Sequence, residues 1–272
     1  MLGLLLLQVL ASCLCLGHSE VMDSFSTCSE FFYKGTTPNE ALQPSNPARI
    51  CQFYINKPRY ATLYDRDRRI PVYSAYKYQC LPGKRPEMPW LLEPQLINRV
   101  YTKEMSTENF IEEKYTVTLD EIAKTQAINQ DYKNLKDLDR GHLSPSCHQK
   151  DDIHRKATFT LTNIVPQNKT LNQGAWKDYE SKTMREKIKG CETTYVITGA
   201  VPGEDYIKDR VNVPSYIWSA ACCEVKGTQQ RKAWGAIAEN NKNKVEVLSL
   251  EALEQKLSNL YRGTVTLFNN AC

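Results

Sequence analysis

Cysteine spacing constrains this chain more than any other feature of its sequence. Ten cysteines are present, at positions 13, 15, 28, 51, 80, 147, 191, 222, 223 and 272. The first two fall in an apolar run over residues 2–17 that stops at polar His18, Ser19 and Glu20. That run is shorter than the roughly 20 residues a membrane-spanning helix needs. Small residues close it, so residues 1–19 read as a signal peptide and not as a retained anchor. Cys28, Cys51, Cys80, Cys147, Cys191, Cys222, Cys223 and Cys272 then remain, an even set without a CxxC pair. Such a set is expected to form disulfides in an oxidising compartment, which implies a secreted protein or one in the secretory lumen. Spacing alone leaves the pairing open. Cys222 and Cys223 are neighbours in a strand-like run, where successive side chains point to opposite faces, so they are expected to bond to two different partners. A zinc module built on Cys147, His148 and His154 is the weaker reading, because these residues are poorly spaced around one ion.

The chain is long enough, at 272 residues, to bury a sizeable core without a metal. Hydrophobic residues make up 41% and charged residues 24%, a balance that excludes disordered and collagenous classes. The net charge of +4 permits a polyanionic partner without demanding one. No second long apolar segment follows the leader, so no stable membrane association is expected after its removal. Asn168-Lys169-Thr170 is a glycosylation sequon on Asn168.

Residues 20–49 are polar and irregular, anchored by Phe31, Phe32 and Tyr33. Residues 59–64 and 69–78 are rich in β-branched and aromatic side chains and flank the charged turn Asp65-Arg66-Asp67-Arg68, the pattern of a hairpin. Residues 81–99 carry several prolines and read as a loop. A capping-box start predicts a helix over 118–128, and alternation predicts a strand over 157–163. Residues 171–189 read as one helix with Trp176, Tyr179, Met184 and Ile188 on its apolar side and Gly190 as its stop. Strands are expected at 193–200, 211–225 and 233–239, and an amphipathic helix at 250–260. Strands in both halves with interspersed helices and no break in composition indicate one α+β domain over 20–272. Its core is expected to be a mixed, mainly antiparallel central sheet with flanking helices, stapled by disulfides.

Candidate chemistry starts at Asp139-Arg140-Gly141-His142, which sets an acid, a cation, a flexible glycine and an imidazole in four positions. With an ordinary pKa near 6.5, His142 takes a proton from water at neutral pH. Alone, a surface turn that holds its own histidine is the simpler account. Thr162-Asn163-Ile164-Val165-Pro166-Gln167 follows, and then Leu171-Asn172-Gln173-Gly174-Ala175-Trp176-Lys177-Asp178-Tyr179-Glu180. On an unbroken helix from Asn172, Glu180 stands roughly 12 Å along the axis and about 80° around it. The two thus flank one site without both touching one ion. An amide oxygen with a carboxylate nearby suits hydrated Mg²⁺, which takes only one or two protein ligands. Taken singly, Asn172 is as readily a helix cap and Glu180 a solvated helix residue.

As an ordered set, these three segments resemble the DNA/RNA non-specific endonucleases of the ββα-metal fold. Phe31-Phe32-Tyr33-Lys34-Gly35, Ala61-Thr62-Leu63-Tyr64, Trp90-Leu91-Leu92-Glu93-Pro94 and the run 213–223 are similar to the vertebrate endonuclease domain-containing 1 group. The resemblance covers nearly all of the chain after the leader. It implies a ββα-metal nuclease site that hydrolyses phosphodiester bonds of DNA and/or RNA without sequence preference. His142 would be the general base, Asn172 the side-chain ligand of Mg²⁺ (with Mn²⁺ as a substitute), and Arg140 the cation on the phosphate. Asn163 would orient His142 or the scissile group, and Glu180 would hold a metal-bound water. The family's second catalytic arginine on an early strand is matched here by Lys77, with Arg66, Arg68 and Arg69 as further cations on a phosphate-facing edge. The other functional class compatible with the resemblance is a secreted binding module that kept the fold and lost turnover. Retention of Arg140, His142, Asn172 and Glu180 together favours the enzyme. Oligomeric state is not encoded in any of these motifs.

Overall fold

Buried β-branched and aromatic runs such as Ile70–Lys77 and Tyr216–Val225 favour pleated pairing with both faces covered, and they form the centre of this molecule. The computed structural model describes residues 21–272; the segment read as a signal peptide, 1–19, lies outside the described residues. Strands β1 (Val21–Met22), β2 (Pro47–Phe53), β3 (Pro58–Asp65) and β4 (Ile70–Lys77) run as a meander. A separate hairpin, β5 (Leu138–His142) with β6 (Ile164–Asn168), follows, and then β7 (Cys191–Val201). The ribbon β8 (Asp205–Ile207) with β9 (Val211–Val213) precedes β10 (Tyr216–Val225), β11 (Arg231–Glu239) and β12 (Glu246–Leu248). The main sheet has the order β1-β2-β3-β4-β7-β10-β11-β12, and every pairing in it is antiparallel. The α+β architecture with an antiparallel central sheet is therefore as expected.

Helices α1 (Pro94–Ile97), α2 (Glu108–Tyr115), α3 (Leu119–Ala123), α4 (Asp152–Ala157), α5 (Lys169–Gln173), α6 (Ala175–Asp178), α7 (Met184–Lys187) and α8 (Leu250–Tyr261) flank the sheet. On one face Trp218, Ile197 and Ala75 pack under Phe25, Phe31, Phe32 and Tyr33 and under Leu253 and Leu257 of α8. The opposite face carries the β5–β6 hairpin and the helices after it. There Ile70, Ala200 and Ile217 meet Ile164, Val165, Leu171 and Trp176. Beside them Tyr60, Tyr76, Val196 and Cys223 meet Tyr179 and Met184.

Local signals failed where tertiary contacts outweighed them. The helix from Thr118 has its capping box but stops at Ala123, and beyond it the Gln126 amide exchanges two hydrogen bonds of 2.9 Å with the Glu93 backbone. Residues 157–163 are a helix end, one isolated bridge from Thr160 to Leu91 and a 3₁₀ turn, not a strand. All seven are buried, so alternation there carries no information about faces. The expected helix 171–189 is interrupted at Gly174 (φ −107°, ψ −111°), where the Ala175 N–H donates to Asn243 Oδ1 at 2.8 Å. It continues through a π turn over Tyr179–Thr183. Pro214, which has no N–H, separates β9 from β10 in the expected strand 211–225.

Six of the eight candidate cysteines pair as Cys28–Cys51, Cys191–Cys223 and Cys222–Cys272. Cys222 and Cys223 point to opposite faces and to different partners, as strand alternation requires. Cys80 and Cys147 stand as thiols, which corrects the expectation for those two. No helix among the described residues is long and apolar enough to cross a membrane.

The Cys222–Cys272 bond fastens the last residue to β10 across a sequence separation of 50. Replacing both cysteines by serine is expected to lower unfolding stability by about 2–4 kcal/mol, read as a denaturant midpoint shift under non-reducing conditions.

Candidate active site

Residues Asp139 to His142 lie on a strand, not in the turn that the glycine suggested. β5 pairs with β6 in the register Asp139↔Gln167, Gly141↔Val165, His142↔Ile164. The glycine is required by packing: a Cβ on Gly141 would lie 2.2 Å from Gln167 Oε1 and 2.6 Å from Gln167 Cβ. Sequence reasoning assigned it flexibility, whereas the strand uses its lack of a side chain.

One cleft of about 770 Å³ is lined by Arg85, Trp90, Asp139, Arg140, His142, Asn172, Lys177 and Glu180, among others. His142 is 8% exposed, and its ring sits 5.3 Å from the Trp90 ring and 5.1 Å, edge to face, from Phe159. Its Nε2 is buried and has no hydrogen-bond partner among the described residues. Burial first, and the Arg85 guanidinium second, lower its pKa to about 3, so the imidazole is neutral throughout the physiological range. Arg140 lies between the Trp90 and Tyr132 rings, at 5.1 and 5.5 Å from their centroids. Its Nη2 donates to Asn129 at 3.4–3.5 Å, while Nε is buried without a partner.

Asp139 organises the far wall. Its Oδ2 accepts from Asn172 Nδ2 at 3.0 Å and from Gln173 Nε2 at 2.8 Å. Because the amide nitrogen is engaged, the Asn172 carbonyl oxygen is the end left to meet a ligand. Asn172 is not the helix cap; Asn168 is, with its Oδ1 accepting from Thr170 N–H at 3.0 Å and Leu171 N–H at 3.3 Å. Glu180 enters from the π turn. The Glu180 carbonyl accepts from His148 Nε2 at 2.9 Å, so the other nitrogen, Nδ1, accepts from the Tyr76 hydroxyl at 2.9 Å. Burial pushes the Glu180 carboxyl up to about 8, with the Trp176 indole and Arg85 pulling the other way. The cleft thus pairs a neutral base with a carboxyl that ionises near neutrality.

A cation here has to be held by few protein groups. Among the described residues no three His, Cys, Asp or Glu side chains cluster as a metal cage. One amide oxygen and one carboxylate across a polar cleft fit a hard, hydrated divalent ion. A zinc module is not what Cys147, His148 and His154 build. Both His148 nitrogens are engaged, and His154 Nδ1 lies 2.7 Å from Asp151.

Other expected positions lie elsewhere. Asn163 is fully buried and does not line the cleft. Its Oδ1 accepts from Ser74 Oγ and Ser144 N–H, both at 2.9 Å, and its Nδ2 donates to the Ser144 and Thr158 carbonyls, both at 3.0 Å. With Leu143 N–H donating to the Asn163 carbonyl at 2.9 Å, it fixes the backbone just past His142. Lys77 follows Tyr76 on β4 and therefore faces the opposite side of the sheet, where Nζ lies 3.4 Å from Glu30 and 5.9 Å from the Tyr195 ring. Arg66, Arg68 and Arg69 are in the β3–β4 turn and line no part of the cleft. Arg68 pairs with Asp65 at 3.0 Å, and Arg69 donates to the carbonyls of Ala123, Asp67 and Arg210. Asn168 pairs with Leu138 at the end of the hairpin away from His142. Missed by sequence reasoning were Arg85, Trp90 and the anchoring role of Asp139. The proline-bearing stretch before residue 94 carried no periodic signal for the first two.

A family model described as DNA/RNA non-specific endonuclease matches residues 37–270. Endonuclease domain-containing 1 proteins of Mus musculus and Homo sapiens are each 36% identical over 207 residues, covering 75% of this chain and 40% of the relative. Mitochondrial endonuclease G of Homo sapiens is 31% identical over 118 residues, 38% of this chain and 39% of that protein. The chain spans about two fifths of the length of these curated relatives. Among solved structures, a chain of the EndoG/EndoGI complex superposes with a TM-score of 0.51 at 19% identity, over 78% of this chain and 84% of that chain, which shows the shared fold. On the family match, the chain belongs to the DNA/RNA non-specific endonuclease family.

Proposed function

We propose that this protein is a secreted, Mg²⁺-dependent endonuclease that hydrolyses phosphodiester bonds of DNA and/or RNA without sequence preference. Residues 1–19 serve as its signal peptide and 20–272 as one endonuclease domain. The observation that carries this reading is that Arg140, His142, Asn172 and Glu180, from two separate stretches of sequence, line one cleft. Three disulfides fit assembly in the secretory pathway, where Asn168 would carry a glycan.

His142 takes the proton from the attacking water. Its burial keeps it neutral and ready to accept, although the same burial makes the protonated ring costly until phosphate charge is nearby. Arg140, preoriented between two aromatic rings, presents its guanidinium to the phosphate. Asn172 Oδ1 would hold the ion, Asp139 fixes the amide in that orientation, and Glu180 would hold a water of the ion. Mg²⁺, or Mn²⁺ in its place, supplies positive charge to the phosphorane and leaving oxygen when bound. The second guanidinium is Arg85, in place of the expected Lys77. Contacts to phosphate and sugar are alike at every step of a polynucleotide, which accounts for cleavage without sequence preference.

His142→Ala is expected to reduce Mg²⁺-dependent plasmid degradation by about 10²–10⁴-fold with secretion and melting temperature retained. Unchanged cleavage would overturn His142 as the general base, whereas no cleavage by the unaltered protein would leave a nucleic-acid-binding module. Arg85→Ala should cost about 10²-fold in kcat/KM, whereas Lys77→Ala should stay within about twofold. Asp139→Ala should raise the Mg²⁺ concentration for half-maximal activity by about 10–100-fold. Since Glu180 ionises as pH rises through about 8, apparent Mg²⁺ affinity should increase with pH across that value, and Glu180→Gln should flatten the dependence.

A further inference from the structure

The two cysteines outside the three disulfides share a wall. Cys80, half-buried just past β4, and Cys147, in the 3₁₀ turn Ser146–His148, line one groove of about 600 Å³. Their segments are joined one residue away from each sulfur. Gln79 N–H donates to the His148 carbonyl at 2.9 Å, and the Tyr78 and His148 rings lie 4.5 Å apart. Residues 78–79 therefore run against residue 148, which brings position 80 alongside position 147. The two thiols also interact electrostatically. Burial pushes the Cys147 thiol up, Glu180 and Cys80 add to this, and Arg185 pulls it back.

The groove's charge suits the chemistry of thiols. Lys84, Arg85, Arg155 and Arg185 line it, with no carboxylate among the lining residues. Such surroundings attract an anionic disulfide donor. The groove is also continuous with the catalytic cleft, since Arg85, Ser146 and Cys147 line both.

We propose that Cys80 and Cys147 are an oxidisable pair that closes a fourth disulfide by exchange with a small anionic disulfide of the glutathione class. One protein thiol gives up its proton, and its sulfur attacks the donor disulfide, forming a mixed disulfide and releasing one thiol. The second protein thiolate attacks that mixed disulfide and releases the other donor thiol. Two protein thiols are oxidised, one donor disulfide is reduced to two thiols, and the balance closes. The new bond would fasten the Arg85-bearing segment to the turn that follows His142. This inference stands apart from the nuclease reading, because it concerns only the covalent state of two sulfurs.

The test is peptide mapping of the full secreted chain after equilibration with oxidised and reduced glutathione, alkylation with iodoacetamide and digestion without reduction. The expected result is a linked peptide pair joining Cys80 to Cys147 that separates on reduction, beside the three other disulfides. Alkylation of both Cys80 and Cys147 in the oxidised protein, with the other three bonds intact, would overturn the proposal, as would a glutathione adduct that persists on either. In Cys80→Ser, Cys147 is expected to become alkylated or to retain glutathione. If instead it links to another cysteine, the assigned partner is wrong.

Discussion

One buried amide holds the hairpin that carries His142 to the sheet. Asn163 spends all four of its side-chain hydrogen bonds on Ser74 of β4, both backbone groups of Ser144 and the Thr158 carbonyl. Ser74 is further joined to Thr62 on β3 at 3.0 Å. An unsatisfied amide in this fully buried position would be costly, so the geometry is stringent: only one placement of the β5 end serves every donor and acceptor. His142 occupies that strand end and inherits its position from the network.

With the hairpin placed, burial sets the electrostatics. The low-dielectric wall of Trp90 and Phe159 makes the imidazole resist protonation, and the same desolvation lifts the Glu180 carboxyl. Arg85 acts on both in the same sense, disfavouring positive charge on the imidazole and favouring negative charge on the carboxylate. Neutral His148, held between Tyr76 and the Glu180 carbonyl, ties the π turn to the sheet. The Glu180 backbone and the Asn172 amide are thus each held by a neighbouring side chain, His148 and Asp139 respectively.

The disulfides act on the outer parts of the same frame. Cys28–Cys51 fixes the N-terminal segment to β2, Cys191–Cys223 ties β7 to β10, and Cys222–Cys272 fastens the chain end beyond α8. None of the three touches the cleft. Of the two remaining thiols, Cys147 lines it and Cys80 lines only the adjoining groove, so the redox state of this molecule meets its candidate chemistry at Cys147.

Several features were legible in the sequence because they are local. The β3–β4 hairpin follows from β-branched and aromatic runs around a charged turn, α8 from its amphipathic spacing, and the divergent bonding of Cys222 and Cys223 from strand geometry. The ordered motifs around His142, Asn163 and Asn172 sufficed to point to the family. Tertiary structure decided what depends on which face a residue takes and on what lies across from it. Lys77 was lost to the far side of the sheet by the one-residue alternation of β4. Asn163 became a structural tie because its four partners come from segments distant in sequence, and Arg85 entered the cleft from a loop with no periodic signal. Gly141 was visible as a glycine, but the reason for it is Gln167 on the neighbouring strand, which only the register of β5 against β6 brings within contact.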